Sequence, residues 1–221
     1  MKKSVILFIL CLSCGIVSAQ TSEPAKIGDI VEGGVLWYIS ADGTSGKVLY
    51  PGRSKGKLSF ATESTVTFPE TASADDGAVN VAILKKIDPS LASFPAAKYC
   101  EDLEGDWYLP ASNEMKALFE VYNGTTWEGA SGGRPESITP EEQKARNQFE
   151  KYIRAAGGVK LNSYSPSTNG TELWTSTWKS SSSAFFLRTG SRRMFPDLFD
   201  GTNSKSKSPN LVRCIRKVSL K

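Results

Sequence analysis

The 221-residue chain contains no histidine. Histidine is the side chain that titrates closest to neutral pH, and it is the commonest general base and metal ligand. Its absence excludes a Ser-His-Asp triad and most transition-metal sites. The composition is therefore more typical of a protein that binds a ligand than of an enzyme, and we expect neither a resident metal nor a cofactor.

Long apolar runs are also scarce, and the only clear one covers residues 5–17. Two lysines precede this run and small residues follow it up to Ala19, which is the pattern of a secretory signal. The run is shorter than the about 20 residues that a spanning helix needs. We therefore expect residues 1–19 to be a signal peptide, residues 20–25 a short tail and residues 26–221 a single domain. Such a protein is exported to the periplasm, the cell surface or the extracellular space.

The charge of the chain is small. The sequence has 27 Lys and Arg against 23 Asp and Glu, and removal of the two lysines in residues 1–19 leaves 25 against 23, a net charge of +2. A surplus this small does not predict a strongly charged partner, and together with export it argues against nucleic acid.

Cysteine is rare, with four in the chain. Cleavage after Ala19 removes Cys11 and Cys14 and leaves Cys100 and Cys214, which are expected to pair in an oxidising compartment. Two buried free thiols are the alternative. Cys14 offers a second alternative, because Leu12-Ser13-Cys14-Gly15 loosely resembles a lipoprotein cleavage box, although Cys11 stands where such a box has an aliphatic residue.

Local patterns predict an α+β domain with short antiparallel strands and three to four helices. Residues 35–39 and 47–50 form a predicted hairpin, because Asp42-Gly43 and Ser45-Gly46 supply turn chemistry between two β-rich runs. Residues 51–78 are rich in Ser, Thr, Gly and Pro and predict a surface excursion with one short strand at residues 65–68. Four strand-like pieces follow later in the chain, namely ELWTSTW, SSAFFLRTG, RRMFPDLF and LVRCIRKVSL.

Two helices and a corner are predicted between residues 78 and 109. The first helix covers residues 78–87, ends before Pro89, and has as its inward positions Val79, Ile83 and Ile87. The second covers residues 95–103 and carries Cys100. Gly105 stops it, and Trp107 and Leu109 are expected to be buried at an extended corner.

Two further helices follow the corner. One begins at Pro110 and runs to residue 121, with a buried stripe made by Met115, Leu118, Phe119 and Tyr122. The other has the clearest ends, because Thr139 caps it, Pro140 occupies its first turn, Glu142 completes a capping box and Gly157 terminates it. Its apolar face is formed by Ala145, Phe149, Ile153 and Ala156.

The order of these motifs resembles one protein family. GDWYLPASNEMKALF, ELWTSTW and LVRCIRKV are similar to the Trp-x-Leu-Pro, Trp-x-Ser-(Ser/Thr) and Val-Arg-Cys-Val-Arg landmarks of the Lcl C-terminal-type domain of bacterial surface proteins. The leading IGDIVEGGVLWYISADGTSGKV resembles the first hairpin of that family, and ARNQFEKYIRAAGG resembles its segment before the Trp-Ser strand. The five motifs keep the family's order and cover most of residues 26–218.

The resemblance implies a C-type lectin-like domain in which a helix-borne cysteine bonds to one on the last strand, so that Cys100 pairs with Cys214. It also implies a non-catalytic, adhesin-like surface module that recognises a glycan or a protein. The sequence departs from the family at Ala111, where a Ser or Thr cap is usual. That helix start is therefore expected to fray or to lean on Ser112.

Two enzyme classes remain as alternatives. A glycoside hydrolase needs paired carboxylates, and four are clustered, although acids at a helix end are more often solvated surface. These four are Glu101, Asp102, Glu104 and Asp106. A formylglycine-generating, sulfatase-modifying oxidase shares a related lectin-like fold, but it works through paired reactive cysteines that are here expected to form the disulfide.

Calcium-dependent sugar binding is not favoured, because the lectin motifs Glu-Pro-Asn, Gln-Pro-Asp and Trp-Asn-Asp are absent. FPDLFDGTN offers Asp197, Asp200 and Asn203 as oxygen donors, but their spacing is not that of an EF-hand loop. Turn residues of this kind commonly bond their own backbone.

Aromatic and basic residues concentrate between Trp174 and Cys214. On loops, such side chains are the usual anchors of a binding face. The predicted ligand-binding residues are Trp178, Arg188, Arg192, Arg193, Phe195 and Phe199. Because a guanidinium group pairs two donors with a carboxylate or sulfate, an acidic glycan or an acidic protein patch is the favoured ligand. The alternative is that these arginines solubilise an edge strand.

Overall fold

The computed structural model describes residues 23–63, 65–127, 138–161, 171–189, 193–198 and 210–220, with the backbone alone for 193–198. Across these ranges the chain forms four helices and two antiparallel sheets. The helices are Gly77–Ile87 (α1), Pro95–Glu101 (α2), Ser112–Asn123 (α3) and Pro140–Ala155 (α4). The strands are Ile30–Val31 (β1), Gly34–Ile39 (β2), Ser45–Leu49 (β3), Glu172–Ser180 (β4), Ser183–Arg188 (β5), Arg193–Leu198 (β6) and Ile215–Ser219 (β7). The predicted α+β class is confirmed; the expected signal peptide and Cys14 lie outside the described residues.

The first sheet has the strand order β1-β2-β3-β7. The predicted hairpin is confirmed as β2 and β3, and Gly43 in its turn has a φ of 67°, a left-handed conformation that glycine adopts without strain. β7 pairs antiparallel with β3 and places Lys217 opposite Lys47. A strand from the far end of the chain therefore completes the sheet that the hairpin begins.

The second sheet has the order β4-β5-β6. Its register aligns Trp174 with Phe186, and Phe186 with Phe195. A parallel bridge from Leu173 to Leu211 ties β4 to the segment that leads into β7. The four predicted strand-like pieces thus form β4 to β7, and the last of them connects the two sheets.

The core is formed by residues of both sheets and of all four described helices. Trp107 and Leu109 are 4% and 0% exposed, which confirms the buried corner, and the edge of Tyr50 packs on Trp107 with ring centroids 5.2 Å apart. The predicted stripe of α3 is also buried. That helix begins at Ser112 rather than Pro110, because Tyr108 pairs with Ile215 and the Pro110 carbonyl accepts the Ser176 N–H, which keeps the chain extended.

The disulfide joins α2 to the residue before β7. Cys100 and Cys214 are bonded across a sequence separation of 114, and neither is exposed. The neighbouring Arg213 is also fully buried, and its guanidinium donates to four backbone carbonyls, those of Pro51, Gly52, Val159 and Lys160. The expected Cys100–Cys214 pairing is confirmed. The adjacent Arg213 makes a second set of long-range contacts through these hydrogen bonds.

The predicted inward face of α1 is confirmed at one position and wrong at two. Ile83 is 3% exposed, but Val79 is 48% and Ile87 36% exposed, and Asn80 is fully buried. The Asn80 amide donates to the Ser73 carbonyl and to Ser176 Oγ, and its oxygen accepts the Ser73 N–H. Because the Asn80 amide makes its bonds inside the protein, the buried face of α1 combines Asn80 with Val81, Ile83 and Leu84.

The interpretation of residues 51–78 as a surface excursion is also wrong in part. Phe60 is 1% exposed and its ring packs edge-to-face on Trp174, with centroids 5.8 Å apart. The Leu58 carbonyl accepts the Trp174 indole N–H, which anchors this segment to the second sheet. No strand forms at residues 65–68 in the described part of this segment.

Within the described ranges, no helix has the length and apolar character that crossing a membrane requires.

Candidate ligand-binding groove

The structure describes two of the six predicted ligand-binding side chains, Trp178 and Arg188. Arg193 and Phe195 lie in β6, together with Asp197, where the backbone is described. The remaining predicted residues lie outside the described ranges, namely Arg192 and Phe199, with Asp200 and Asn203 of the weighed calcium set.

Trp178 and Arg188 lie at opposite ends of the β4–β5 pair. Trp178 pairs with Ala184, whereas Arg188 pairs with Glu172 on one side and Arg193 on the other. The four residue steps from Ala184 to Arg188 span about 14 Å at the usual strand rise. Of the predicted anchors, the two whose side chains are described, Trp178 and Arg188, therefore do not lie together.

Arg188 is engaged within the protein. Its Nε and Nη2 atoms donate to Glu172 Oε1 at 3.0 and 2.7 Å, and its guanidinium lies 5.7 Å from the centroid of the Phe186 ring. Lys57 Nζ approaches the other oxygen of Glu172 at 3.6 Å. One carboxylate thus contacts two cations at this end of the sheet.

Trp178 is 7% exposed and therefore offers little surface by itself. The ring of Phe68 stacks on it, with centroids 4.4 Å apart and an interplanar angle of 9°. Phe68 is only partly buried, so the pair presents an aromatic surface to solvent mainly through Phe68. Phe68 was not among the predicted residues.

An open groove of about 580 Å³ lies at this aromatic pair. Residues 66–71 form one wall, and residues 178–181 form the other. Four hydroxyl side chains along the two walls are exposed, those of Thr67, Thr71, Ser180 and Ser181. The groove carries the charges of Glu70 and Lys179, and Glu70 forms an ion pair with Lys86 of α1. It is thus an aromatic and hydroxyl-rich surface with little net charge.

The wall at residues 66–71 is fixed at both ends. The Val66 N–H donates to the Ser181 carbonyl at 2.6 Å. At the other end, Ser73 makes two bonds to the buried Asn80, and its carbonyl also accepts the Thr177 hydroxyl at 2.9 Å. A wall held in this way loses little conformational freedom when a ligand binds.

A smaller pocket of about 210 Å³ adjoins Trp107 and Tyr108. Two of the clustered acids, Glu101 and Asp106, line it, and Glu101 pairs with Lys85 of α1. The neighbouring Asp102 pairs with Lys98 at 2.6 Å. Ion pairs at exposed positions are the ordinary state of surface carboxylates.

The shifted pKa values indicate tight hydrogen bonding rather than a poised acid. Donation from Ser40 and Thr44 lowers the pKa of the Asp42 carboxyl to about 2. Burial opposes ionisation of Asp76, but bonds from Lys217 and from the first backbone N–H groups of α1 outweigh it and hold the pKa below 3.8. Among the described residues, no three Asp, Glu or Cys side chains converge to hold a metal ion.

Phe68 had a weak signal in the sequence. It is an isolated aromatic followed by Pro in the polar stretch TVTFPETAS, and a large aromatic in such a loop needs either a core partner or a ligand. Its partner, Trp178, lies 110 positions later and could not be paired with it from local pattern alone.

No family model matches the chain, and no match was found among the curated proteins. The case for a function therefore rests on the chemistry of the groove and on the motifs of the sequence.

Proposed function

We propose that the protein is an exported, non-catalytic binding module of C-type lectin-like type, adhesin-like in role, that recognises a glycan or a protein. The lectin-like proposal is supported by the bond between Cys100 on α2 and Cys214 at the last strand. Export is supported by the signal-like residues 1–19 and by the presence of a disulfide, since disulfides persist mainly outside the cytosol.

The groove beside Phe68 is the observation that carries the binding role. Its volume lies within the about 300–1,000 Å³ of known ligand clefts. It combines an aromatic surface with exposed hydroxyl groups on a wall fixed at both ends. These are features of a preformed binding surface, and its two charged side chains, Glu70 and Lys179, are not paired acids.

The state of the cysteines favours binding over oxidase chemistry. A reactive cysteine needs thiolate character and access to its partner. Cys100 and Cys214 are bonded to each other and have no exposed surface. Titration of free thiols on the native protein should therefore find none from these two residues, whereas two reactive thiols would favour the sulfatase-modifying class.

The binding role is tested with arrays of glycans and of extracellular proteins, each read with and without EDTA. We expect metal-independent binding that Phe68→Ala weakens. Tyr38→Ala is the matched control, because Tyr38 is an aromatic residue with 45% exposure on the first sheet, away from the groove.

The double variant Arg192→Ala/Arg193→Ala tests the other predicted anchors in the same assay. Binding that is lost in this variant and retained in Phe68→Ala would move the site to the arginines. Binding that EDTA abolishes would instead direct attention to Asp197, Asp200 and Asn203.

A further inference from the structure

We infer that the groove takes a neutral, hydroxyl-rich saccharide, and not the acidic ligand that the arginine-rich sequence suggests. This inference rests on the proposed binding function and names the ligand class of the same site. Three properties of the groove carry it: its aromatic surface, its hydroxyl groups and its charge.

The aromatic surface is flat and backed by a second ring. Phe68 lies parallel to Trp178, which is itself packed into the core. A pyranose ring has a face of C–H groups that packs on an aromatic face, and the electron-rich face of the ring attracts the slightly positive hydrogens. The backing by Trp178 holds Phe68 in one orientation, so the stacking surface exists before the ligand arrives.

The polar groups at the groove suit hydroxyls. A hydroxyl can donate one hydrogen bond and accept others, so Thr67, Thr71, Ser180 and Ser181 can each match a sugar hydroxyl in either sense. Ser180 Oγ already lies 2.7 Å from Ser183 Oγ, and either of these atoms can donate. Rotation of the Ser180 hydroxyl would exchange its hydrogen bond with Ser183 for one with a ligand.

The charge of the groove is close to balanced. Glu70 is paired with Lys86, and Lys179 adds one exposed cation. Among the described residues, the two walls at 66–71 and 178–181 contain no guanidinium group. Arg188, a predicted cation whose side chain is described, lies about 14 Å along β5 from Ala184, the partner of Trp178, and is paired with Glu172. An acidic polymer would therefore find no bidentate partner on these described walls.

The test uses an array of neutral gluco-, manno-, galacto- and xylo-oligosaccharides beside sulfated and uronic-acid oligosaccharides. Hits are followed by calorimetry at about 0.05 M and about 0.5 M NaCl, because exposed ionic contacts weaken over that range. We expect binding to neutral members, with an affinity that changes less than about twofold with salt. Phe68→Leu, which keeps apolar packing on Trp178 but removes the aromatic face, should weaken binding about fivefold or more.

The outcomes separate the inference from the proposed function. Neutral-saccharide binding that is lost in Phe68→Leu and kept in Tyr38→Ala supports both. Binding only to acidic saccharides or to a protein, still sensitive to Phe68→Leu, overturns the neutral class and leaves the binding role. Binding that is insensitive to Phe68→Leu removes the groove as the site. The absence of binding to any saccharide overturns the inference, and the further absence of binding to the array of extracellular proteins overturns the proposed function as well.

Discussion

Replacement of Glu114 tests the central polar junction of the fold. Its carboxylate is 3% exposed and accepts four hydrogen bonds, from Lys47 Nζ at 2.7 Å and from the Tyr108 hydroxyl, the Gly77 N–H and the Ala111 N–H at 2.9 Å each. It therefore joins the first sheet to the starts of α1 and α3. Glu114 satisfies the backbone N–H of the N-cap residue Ala111, while Thr177 Oγ1 and the Ala74 carbonyl accept the first two N–H groups of α3, from Ser112 and Asn113.

The magnitude follows from the groups that lose their partner. Glu114→Ala leaves two buried N–H groups unpaired, each at a cost of about 1–3 kcal/mol. It also leaves the Lys47 ammonium, whose side chain is 20% exposed, without its anion. Because Lys47 can partly reach water, we take the lower part of the about 3–5 kcal/mol range for breaking a buried pair and expect a loss of about 3 kcal/mol.

The assay is urea unfolding at neutral pH, with the m-value monitored so that a change in midpoint reports stability. Glu114→Gln, which keeps the size of the side chain, should lose less, and adding Lys47→Met should restore part of the loss because the unpaired cation is removed. Glu141→Gln is the matched control, since Glu141 also lies in the first turn of a helix but is exposed. A cost below about 1 kcal/mol for Glu114→Ala at unchanged m-value would refute the reasoning.

Three further changes have defined outcomes. Replacing Cys100 and Cys214 together with Ala should lower the free energy of unfolding by about 4–5 kcal/mol in urea titration, from loop-closure entropy, and equal midpoints would contradict this. Trp107→Ala should cost about 3–5 kcal/mol as a core truncation, and an unchanged melting temperature would place Trp107 outside the core. Because the pKa of Asp76 is lowered, its charge stabilises the fold above pH about 4 and this contribution is lost as the pH falls through the lowered pKa. Asp76→Asn, which can still cap α1, should therefore cost about 0.2–1 kcal/mol at neutral pH and nothing in strong acid, and a pH-independent difference would exclude the charge.

The elements with local signals were predictable from the sequence. In α4, Thr139 Oγ1 accepts the Glu142 N–H and Glu142 Oε2 accepts the Thr139 N–H, as the capping-box pattern predicts. The hairpin of β2 and β3 was equally clear, because the turn residues lie between two β-rich runs. In both cases the partners are within about a dozen residues of each other, so the pattern contains all the interacting groups.

Buried polar side chains account for part of what the local pattern missed. Asn80 bonds to Ser73 and also to Ser176, 96 residues later, and a pattern based on apolar spacing gave it no place on the buried face of α1. On α4 the buried face includes Glu150, which accepts the Tyr122 hydroxyl and the Leu161 N–H. A single sequence contains no local sign that such groups find partners.

The candidate site was predictable only in part. Trp178 was identified as a residue of interest, but its environment depends on Phe68, which lies in a stretch interpreted as a surface excursion. Trp178 and Arg188 are separated along the β4–β5 pair by the sheet register, which no local pattern specifies, and the predicted set of ligand-binding residues stays a prediction.

The position of Arg213 and Cys214 has a consequence for the order of events during folding. Residues 210–220 supply the disulfide partner of α2, the cation that binds carbonyls of residues 51–52 and 159–160, and the strand that completes the first sheet. When the amino end of the chain emerges first, the first sheet cannot be completed until residues 210–220 have emerged. The contacts of these residues reach back more than 150 positions to residues 45–52. Folding dominated by such distant contacts is slow, and the unclosed sheet exposes a strand edge in the meantime. An exported form of this protein would therefore reach its folded state only after nearly the entire chain had crossed the membrane.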